Sequence, residues 1–284
     1  MIAVTGATGH LGRLVIAELL RTVPAAQIVA AVRTPAKAQD LAALGVQVRQ
    51  ADYAQSATLA AAFAGVDKVL LISSSEVGQR AVQHRAVIDA AKAAGVKLMA
   101  YTSILHADTS PLGLATEHKE TEAALAASGV PTVLLRNGWY TENYETVVPT
   151  AVQYGAVMGS AKDGRIAAAS RADYAAAAAA VLTREGQAGK VYELAGDTAF
   201  TLTEFAAAIA QHSGKPVAYV DMPQADYAAA LVNVGLPEGF AALLADSDAG
   251  AAVGGLFDDG KQLSQLIGRS TTPMANVIAA ALKG

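Results

Sequence analysis

Short, largely apolar runs alternate along this chain with longer stretches rich in alanine and leucine, and that rhythm narrows the possible folds more than any other feature. The apolar runs are residues 2–5, 28–32, 46–49, 69–72, 98–102, 133–135 and 191–194. A strand apolar on both its faces needs cover on both faces, which is the situation of a parallel sheet. Between the runs lie residues 11–22, 35–44, 56–64, 78–94 and 115–128, each with its charges on one side. These read as crossover helices, so the expected fold is α/β with a doubly wound parallel sheet. The pairs Gly45-Val46, Gly65-Val66, Gly95-Val96 and Gly129-Val130 mark where helices stop and strands begin, because glycine is favoured just past a helix end.

Within this rhythm Gly6-Ala7-Thr8-Gly9-His10-Leu11-Gly12 joins the first strand to the first helix. A G-x-x-G-x-x-G turn in that context is a dinucleotide-binding signature. Gly6 permits the tight turn, Gly9 lets backbone approach a pyrophosphate and Gly12 allows close helix–strand packing, while N–H groups at the helix start receive the negative charge. Folds specific for NAD place an acid about twenty residues further on, where it accepts from the ribose 2′-hydroxyl. This chain has Val32-Arg33 there. A guanidinium suits a 2′-phosphate and the adenine face, with Lys37 as support, so NADPH is expected over NADH. Asp52 reads either as an acceptor for the adenine amino group or as a surface turn acid.

After Leu135 the rhythm loosens. Asn137-Gly138-Trp139-Tyr140, a loop between Gly159 and Gly164, an alanine-rich helix from Asp173 and a Thr201-x-x-Glu204 capping box follow. Beyond Gly214 come a short strand at 217–220 and small helices broken by Pro223, Pro237 and Gly254-Gly255. The expected organisation is a dinucleotide-binding Rossmann domain over 1–136, with a further sheet strand near 190–195. Residues 137–284 form mainly a smaller, substrate-side α/β domain over the carboxyl edge of the sheet.

Composition removes several classes of function. The 284 residues are 53% hydrophobic, and 21 basic against 25 acidic residues leave a charge of −4 with no basic run, so no nucleic-acid partner is expected. No cysteine is present, which excludes disulfides and thiolate sites and fits a reducing compartment, with the cytoplasm as default. The opening residues lack a charged leader and apolar h-region. The longest apolar stretch, 174–182, is too short for a bilayer core of about 30 Å, so no membrane association is expected. His10, His84, His106, His118 and His212 show no i, i+4 pairing, and Asp246, Asp248, Asp258 and Asp259 lack calcium-loop spacing; no metal is expected. Gly-x-Ser-x-Gly is absent, which removes hydrolases of the nucleophile-elbow type.

Several longer motifs carry a family resemblance. They are the residues from Val4 to Gly12, Leu71-Ile72-Ser73-Ser74-Ser75-Glu76, Tyr101-Thr102-Ser103, Arg136-Asn137-Gly138-Trp139-Tyr140-Thr141-Glu142-Asn143, Gly254-Gly255-Leu256-Phe257-Asp258-Asp259 and Leu266-Ile267-Gly268-Arg269. Over essentially its whole length the chain resembles the atypical short-chain dehydrogenases related to the NmrA regulators, and among them the bacterial NAD(P)H:quinone reductases. The resemblance implies a cofactor laid across the top of the sheet, with Ser73, Ser74 and Ser75 beside the nicotinamide-side ribose. It also implies that Asn137, Gly138, Trp139, Tyr140 and Asn143 line the nicotinamide and substrate cleft, Tyr140 and Asn143 positioning substrate. Both segments follow strands at their carboxyl ends, where open α/β sheets bind ligands. The alternative for Trp139, Tyr140 and Tyr144 is an aromatic wedge that only attaches the smaller domain. Arg171 reads either as a cofactor or substrate contact or as a surface ion pair.

Most short-chain dehydrogenases carry Tyr-x-x-x-Lys on the helix after the fifth strand, the tyrosine acting as proton donor. Here Ala115 stands at the tyrosine position and Lys119 at the lysine position. A ketone taking hydride becomes a basic alkoxide and needs a proton at once, whereas a quinone becomes a resonance-stabilised phenolate that water protonates later. The expected activity is therefore NADPH-dependent reduction of a quinone by direct hydride transfer, without flavin, by a monomer or homodimer. The alternatives are a non-catalytic sensor of the dinucleotide, and a reductase of aromatic or enone substrates that uses Lys119. Tyr101, Tyr140 and His118 are the nearest polar candidates for an acid, each with a bland reading: strand tyrosine, wedge tyrosine and helix-surface histidine.

Overall fold

A computed structural model describes residues 1–283. The chain opens with β1 (Ile2–Thr5), α1 (His10–Leu19), β2 (Ile28–Val32), α2 (Gln39–Ala43), β3 (Gln47–Gln50), α3 (Ser56–Ala62), β4 (Lys68–Leu71), α4 (Arg80–Ala93), β5 (Leu98–Ile104), α5 (Ala115–Ser128) and β6 (Thr132–Asn137). It continues through α6 (Glu142–Glu145), α7 (Val147–Tyr154), β7 (Ala156–Gly159), α8 (Arg171–Thr183), β8 (Val191–Leu194) and α9 (Leu202–Ser213). Then come β9 (Ala218–Asp221), α10 (Gln224–Asn233), α11 (Glu238–Ala252), α12 (Gln262–Ile267) and α13 (Met274–Ala281).

The main sheet has seven strands in the order β3-β2-β1-β4-β5-β6-β8, and the pairings from β3 through to β6 are parallel. This is the doubly wound sheet that the apolar runs call for. The chain moves outward from β1 to β3, then returns to pair β4 on the other side of β1. That reversal is the switch point beside which such sheets bind ligands, outside the strand carboxyl ends. Ala3, Val4, Val29, Val69 and Leu70 are fully buried, as cover on both faces requires.

Residues 35–44 do not form one helix. A 3-10 turn over Pro35–Ala38 precedes α2, and Arg13 Nη2 donates to the Lys37 carbonyl at 2.9 Å.

Two compact units emerge from the contacts: Met1–Ala107, Thr116–Asn137 and Arg171–Tyr192 form the first, and Asp108–Ala115, Gly138–Ser170 and the chain from Glu193 form the second. The first unit thus takes α8 back from beyond residue 137. The alanine run of α8 packs against α1, small side chains allowing close approach, and Tyr174, Val181 and Leu182 are buried. In the second unit β7 pairs β9 in parallel, Ala156 opposite Ala218. β7 is only four residues long and of mixed burial. The capping box opening α9 is complete: Glu204 N–H donates to Thr201 Oγ1 at 3.1 Å, and Thr201 N–H donates to Glu204 Oε2 at 2.8 Å. Among the described residues no helix is long and apolar enough to cross a membrane.

Candidate functional site

β1 runs into a turn in which Gly6 has φ +58° and Gly9 N–H donates to Gly6 O at 2.9 Å. α1 then begins at His10 with no side-chain cap and no acid in its first turn, so its leading N–H groups lack helical partners. The glycines divide the work unequally. A Cβ on Gly12 would run into Gly6 O and Ala7 Cα, while one on Gly9 would meet only Gly6 O, at 3.2 Å. Gly12 therefore holds helix against turn, and Gly9 leaves the outer side of the turn open. An uncapped helix start beside an open glycine is a cradle suited to a pyrophosphate.

Arg33, exposed just past β2, donates from Nη1 to Glu76 Oε1 at 2.8 Å. Gln83 and then Arg33 hold the Glu76 carboxyl below the usual carboxylate range. Lys37 lies exposed in the 3-10 turn that follows. Asp52 is a turn acid: Oδ1 accepts from Ala54 N–H at 3.0 Å and Oδ2 from Gln55 Nε2 at 3.0 Å.

Beyond β4 the segment carrying Ser73, Ser74 and Ser75 is hung from side chains of its neighbours. Ile72 N–H donates to Thr5 Oγ1 at 3.1 Å, Ser73 N–H to Thr102 Oγ1 at 2.9 Å and Ser74 N–H to His84 Nε2 at 2.9 Å. Arg80 Nε donates to Ser74 O at 2.6 Å. Because His84 accepts at Nε2, its proton sits on Nδ1 and points to Thr121 Oγ1, 2.9 Å away. Burial, and secondarily Arg80, pushes the His84 pKa down to about 4, so the ring is neutral. Thr5 and Thr102 stand in motifs that carry the family resemblance, but nothing local to them marks these support roles.

At the end of β6, Arg136 grips Glu122 with two bonds, Nε to Oε1 at 3.0 Å and Nη2 to Oε2 at 2.7 Å. This buried, forked pair fixes the backbone immediately before Asn137. The Asn137 carbonyl accepts from Leu105 N–H at 3.0 Å, and its side chain is buried with Oδ1 unpartnered among the described residues. A buried acceptor left unmade costs about 1–3 kcal/mol, and a polar ligand at the carboxyl edge of the sheet would satisfy it. Arg171 is half-buried and opens α8. The first unit thus gathers the residues from Gly6 to Gly12, Arg33, Ser73 to Ser75 and Asn137 at the carboxyl ends of β1, β2, β4 and β6, and also contains Arg171.

Gly138, Trp139, Tyr140 and Asn143 belong to the second unit. There Ala169 N–H donates to Trp139 O at 3.0 Å and Thr141 N–H to Ala169 O at 3.0 Å, which holds the segment extended until Asn143 N–H turns back to Tyr140 O. Trp139, Tyr140 and Asn143 are half-buried. Tyr144 is buried edge-on to Phe200 and Phe205, at centroid distances of 5.4 and 5.5 Å, within the second unit.

α5 carries no acid of the expected kind. Ala115 is buried and Lys119 exposed. His118 is not a surface residue: it is buried, and its Nδ1 lies 2.7 Å from the hydroxyl of fully buried Tyr101. Burial pushes the His118 pKa down to about 3 and raises that of Tyr101, so both are neutral and each occupies the other. Among the described residues no group of three or more histidines or acids could hold a metal ion.

A family model described as the NmrA-like family matches residues 1–270. The chain is 64% identical over 279 residues to quinone oxidoreductase 2 of Escherichia coli, covering 98% of each chain. It superposes with a TM-score of 0.98 on a crystal structure of an NADPH-dependent quinone oxidoreductase from Escherichia coli complexed with NADPH, at 63% identity, covering 99% of this chain and 100% of that one. It also matches a triphenylmethane reductase from Citrobacter sp. complexed with NADP(H), at 40% identity and a TM-score of 0.95, covering 99% of this chain and 100% of that one.

Proposed function

The chain belongs to the NmrA-like family, and from that premise we propose that it is an NADPH-dependent quinone oxidoreductase in which hydride passes directly to the quinone, with no flavin between. The observation that carries this reading is a built dinucleotide cradle on a fold whose α5 offers no tyrosine donor: Ala115 stands at the donor position, and Tyr101 and His118 are sealed against each other. The likeness to the Escherichia coli enzyme supports the quinone as substrate.

NADPH supplies the hydride when bound. The chain's part is binding and orientation. The N–H groups of His10, Leu11 and Gly12 receive the pyrophosphate, and Arg33 receives the 2′-phosphate with Lys37 nearby. The backbone from Ile72 to Ser75, held by Thr5, Thr102 and His84, supports the ribose on the nicotinamide side. Asn137 Oδ1 accepts from a polar group of the cofactor, and Arg171 adds positive charge. Tyr140 and Asn143, with Gly138 and Trp139, position the substrate. No side chain need deliver a proton during transfer, since the phenolate formed from a quinone is weakly basic and takes its proton from water.

Purified protein with no added flavin, and shown by absorbance to contain none, should oxidise NADPH with simple benzoquinones and naphthoquinones. A requirement for added flavin would overturn direct transfer. NADPH binding with no oxidation by any quinone would overturn the enzymatic reading.

A further inference from the structure

Arg33 is held by a carboxylate that arrives from another strand. Glu76, past the end of β4, takes Arg33 Nη1 on Oε1 at 2.8 Å, and its Oε2 accepts from Gln83 Nε2 of α4 at 2.6 Å. Its own N–H donates to Ser74 Oγ at 3.1 Å. The carboxylate is thus held at both oxygens and its residue's backbone at a third point, although the side chains of Arg33 and Glu76 are 70% and 46% exposed. Core stability does not explain such a pair, because exposed ion pairs contribute little. Its placement has a more specific consequence: the group suited to a 2′-phosphate already has an anionic partner beside it.

We propose that Glu76 is a cofactor-specificity residue, competing with the ribose 2′-phosphate for Arg33 and so setting how strongly this site prefers the phosphorylated dinucleotide. The proposal rests on the reading of Arg33 as the phosphate contact. With NADPH the phosphate must take Arg33 from Glu76 or share it at the cost of charge repulsion. With NADH the Arg33–Glu76 pair stays intact, and the carboxylate can accept from the 2′-hydroxyl, as the acid after β2 does in NAD-specific folds. Gln83 sharpens the competition by keeping the carboxylate from swinging into solvent.

Calorimetric titration with 2′,5′-ADP and with 5′-ADP, at low salt, isolates this end of the dinucleotide and needs no turnover. Wild-type protein should prefer 2′,5′-ADP, and Arg33→Ala should erase the preference. Glu76→Gln should tighten 2′,5′-ADP by about three- to tenfold, the scale of an exposed ion pair, while leaving 5′-ADP unchanged or weaker. Gln83→Ala should move the ratio the same way by less, and Glu76→Gln should lose most of its effect in an Arg33→Ala background. A preference that exists in wild type, is erased by Arg33→Ala and is unchanged by Glu76→Gln would overturn the role of Glu76 alone. No preference in either wild type or Glu76→Gln would overturn the phosphate reading, and the proposal with it.

Discussion

At Gly12 an added methyl group would collide with the backbone of Gly6 and Ala7, whereas at Gly9 it would meet one carbonyl oxygen at 3.2 Å. Gly9 also has φ −74° and ψ 167°, extended backbone that any residue adopts. Gly9→Val should therefore fold normally and lose dinucleotide binding, while Gly12→Ala should lower stability by about 1–3 kcal/mol through overpacking. Thermal melts followed by circular dichroism, run beside dinucleotide titrations, separate the two effects; binding retained in folded Gly9→Val would remove the turn from the site. Arg33→Ala should weaken NADPH roughly ten- to hundredfold, the range for a hydrogen bond to a charged group, and NADH far less. Equal loss of both would show that Arg33 does not read the phosphate. The glycine turn and the place of Arg33 at a strand end were legible in the sequence because both are local. Glu76 on Arg33 and the unpartnered Asn137 Oδ1 were not, since each depends on what the fold brings near it.

Helices α4 and α5 illustrate why element patterns mislead about polar residues. Ala115, His118, Thr121 and Leu125 follow helical spacing and are all buried, but histidine and threonine on the inner face cancel the apolar stripe that would mark it. Their burial has a pH signature. His84 and His118 have folded pKa values of about 4 and about 3, below the ordinary 6.5, so the unfolded chain takes up protons first as pH falls. Their contribution to stability is complete above about pH 6.5 and is lost progressively toward pH 3. Asp248 in the second unit runs the other way: burial pushes its pKa up to about 6 from the ordinary 3.8. Its ionisation is a penalty above pH 6 that is relieved between 6 and 3.8. Asp248→Asn should therefore raise stability at pH 8 by about 1–2 kcal/mol and make the loss between pH 6 and 4 steeper. Urea midpoints at pH 8, 6 and 4.5 measure both; parallel curves for wild type and variant would show that Asp248 carries no such penalty.

For the molecule as a whole, the doubly wound parallel sheet could be anticipated because most of its strands are apolar and several helix stops are marked in the chain. The β7–β9 pairing could not, as Ala156 and Ala218 are distant in sequence and each strand is only four residues long. Nor could the return of α8 to the first unit, where an alanine run packs closely but carries no directional signal. The fold keeps a buried alanine, Ala115, where most short-chain dehydrogenases carry the tyrosine, and the proposed reaction does without that acid. In the proposed reaction a lysine at position 119 has no tyrosine to tune, and the structure leaves it exposed on α5. Lys119→Ala should keep kcat/KM for a naphthoquinone within about threefold of wild type, whereas Asn143→Ala or Tyr140→Ala should lower it by tens of fold or more, since misplacement by about 1 Å can cost on the order of a hundredfold. Unactivated ketones and aldehydes should remain negligible substrates in every variant. Steady-state NADPH oxidation across quinones and ketones tests the set: an essential Lys119, or ketones competing with quinones, would move the protein to carbonyl chemistry with the lysine as its acid.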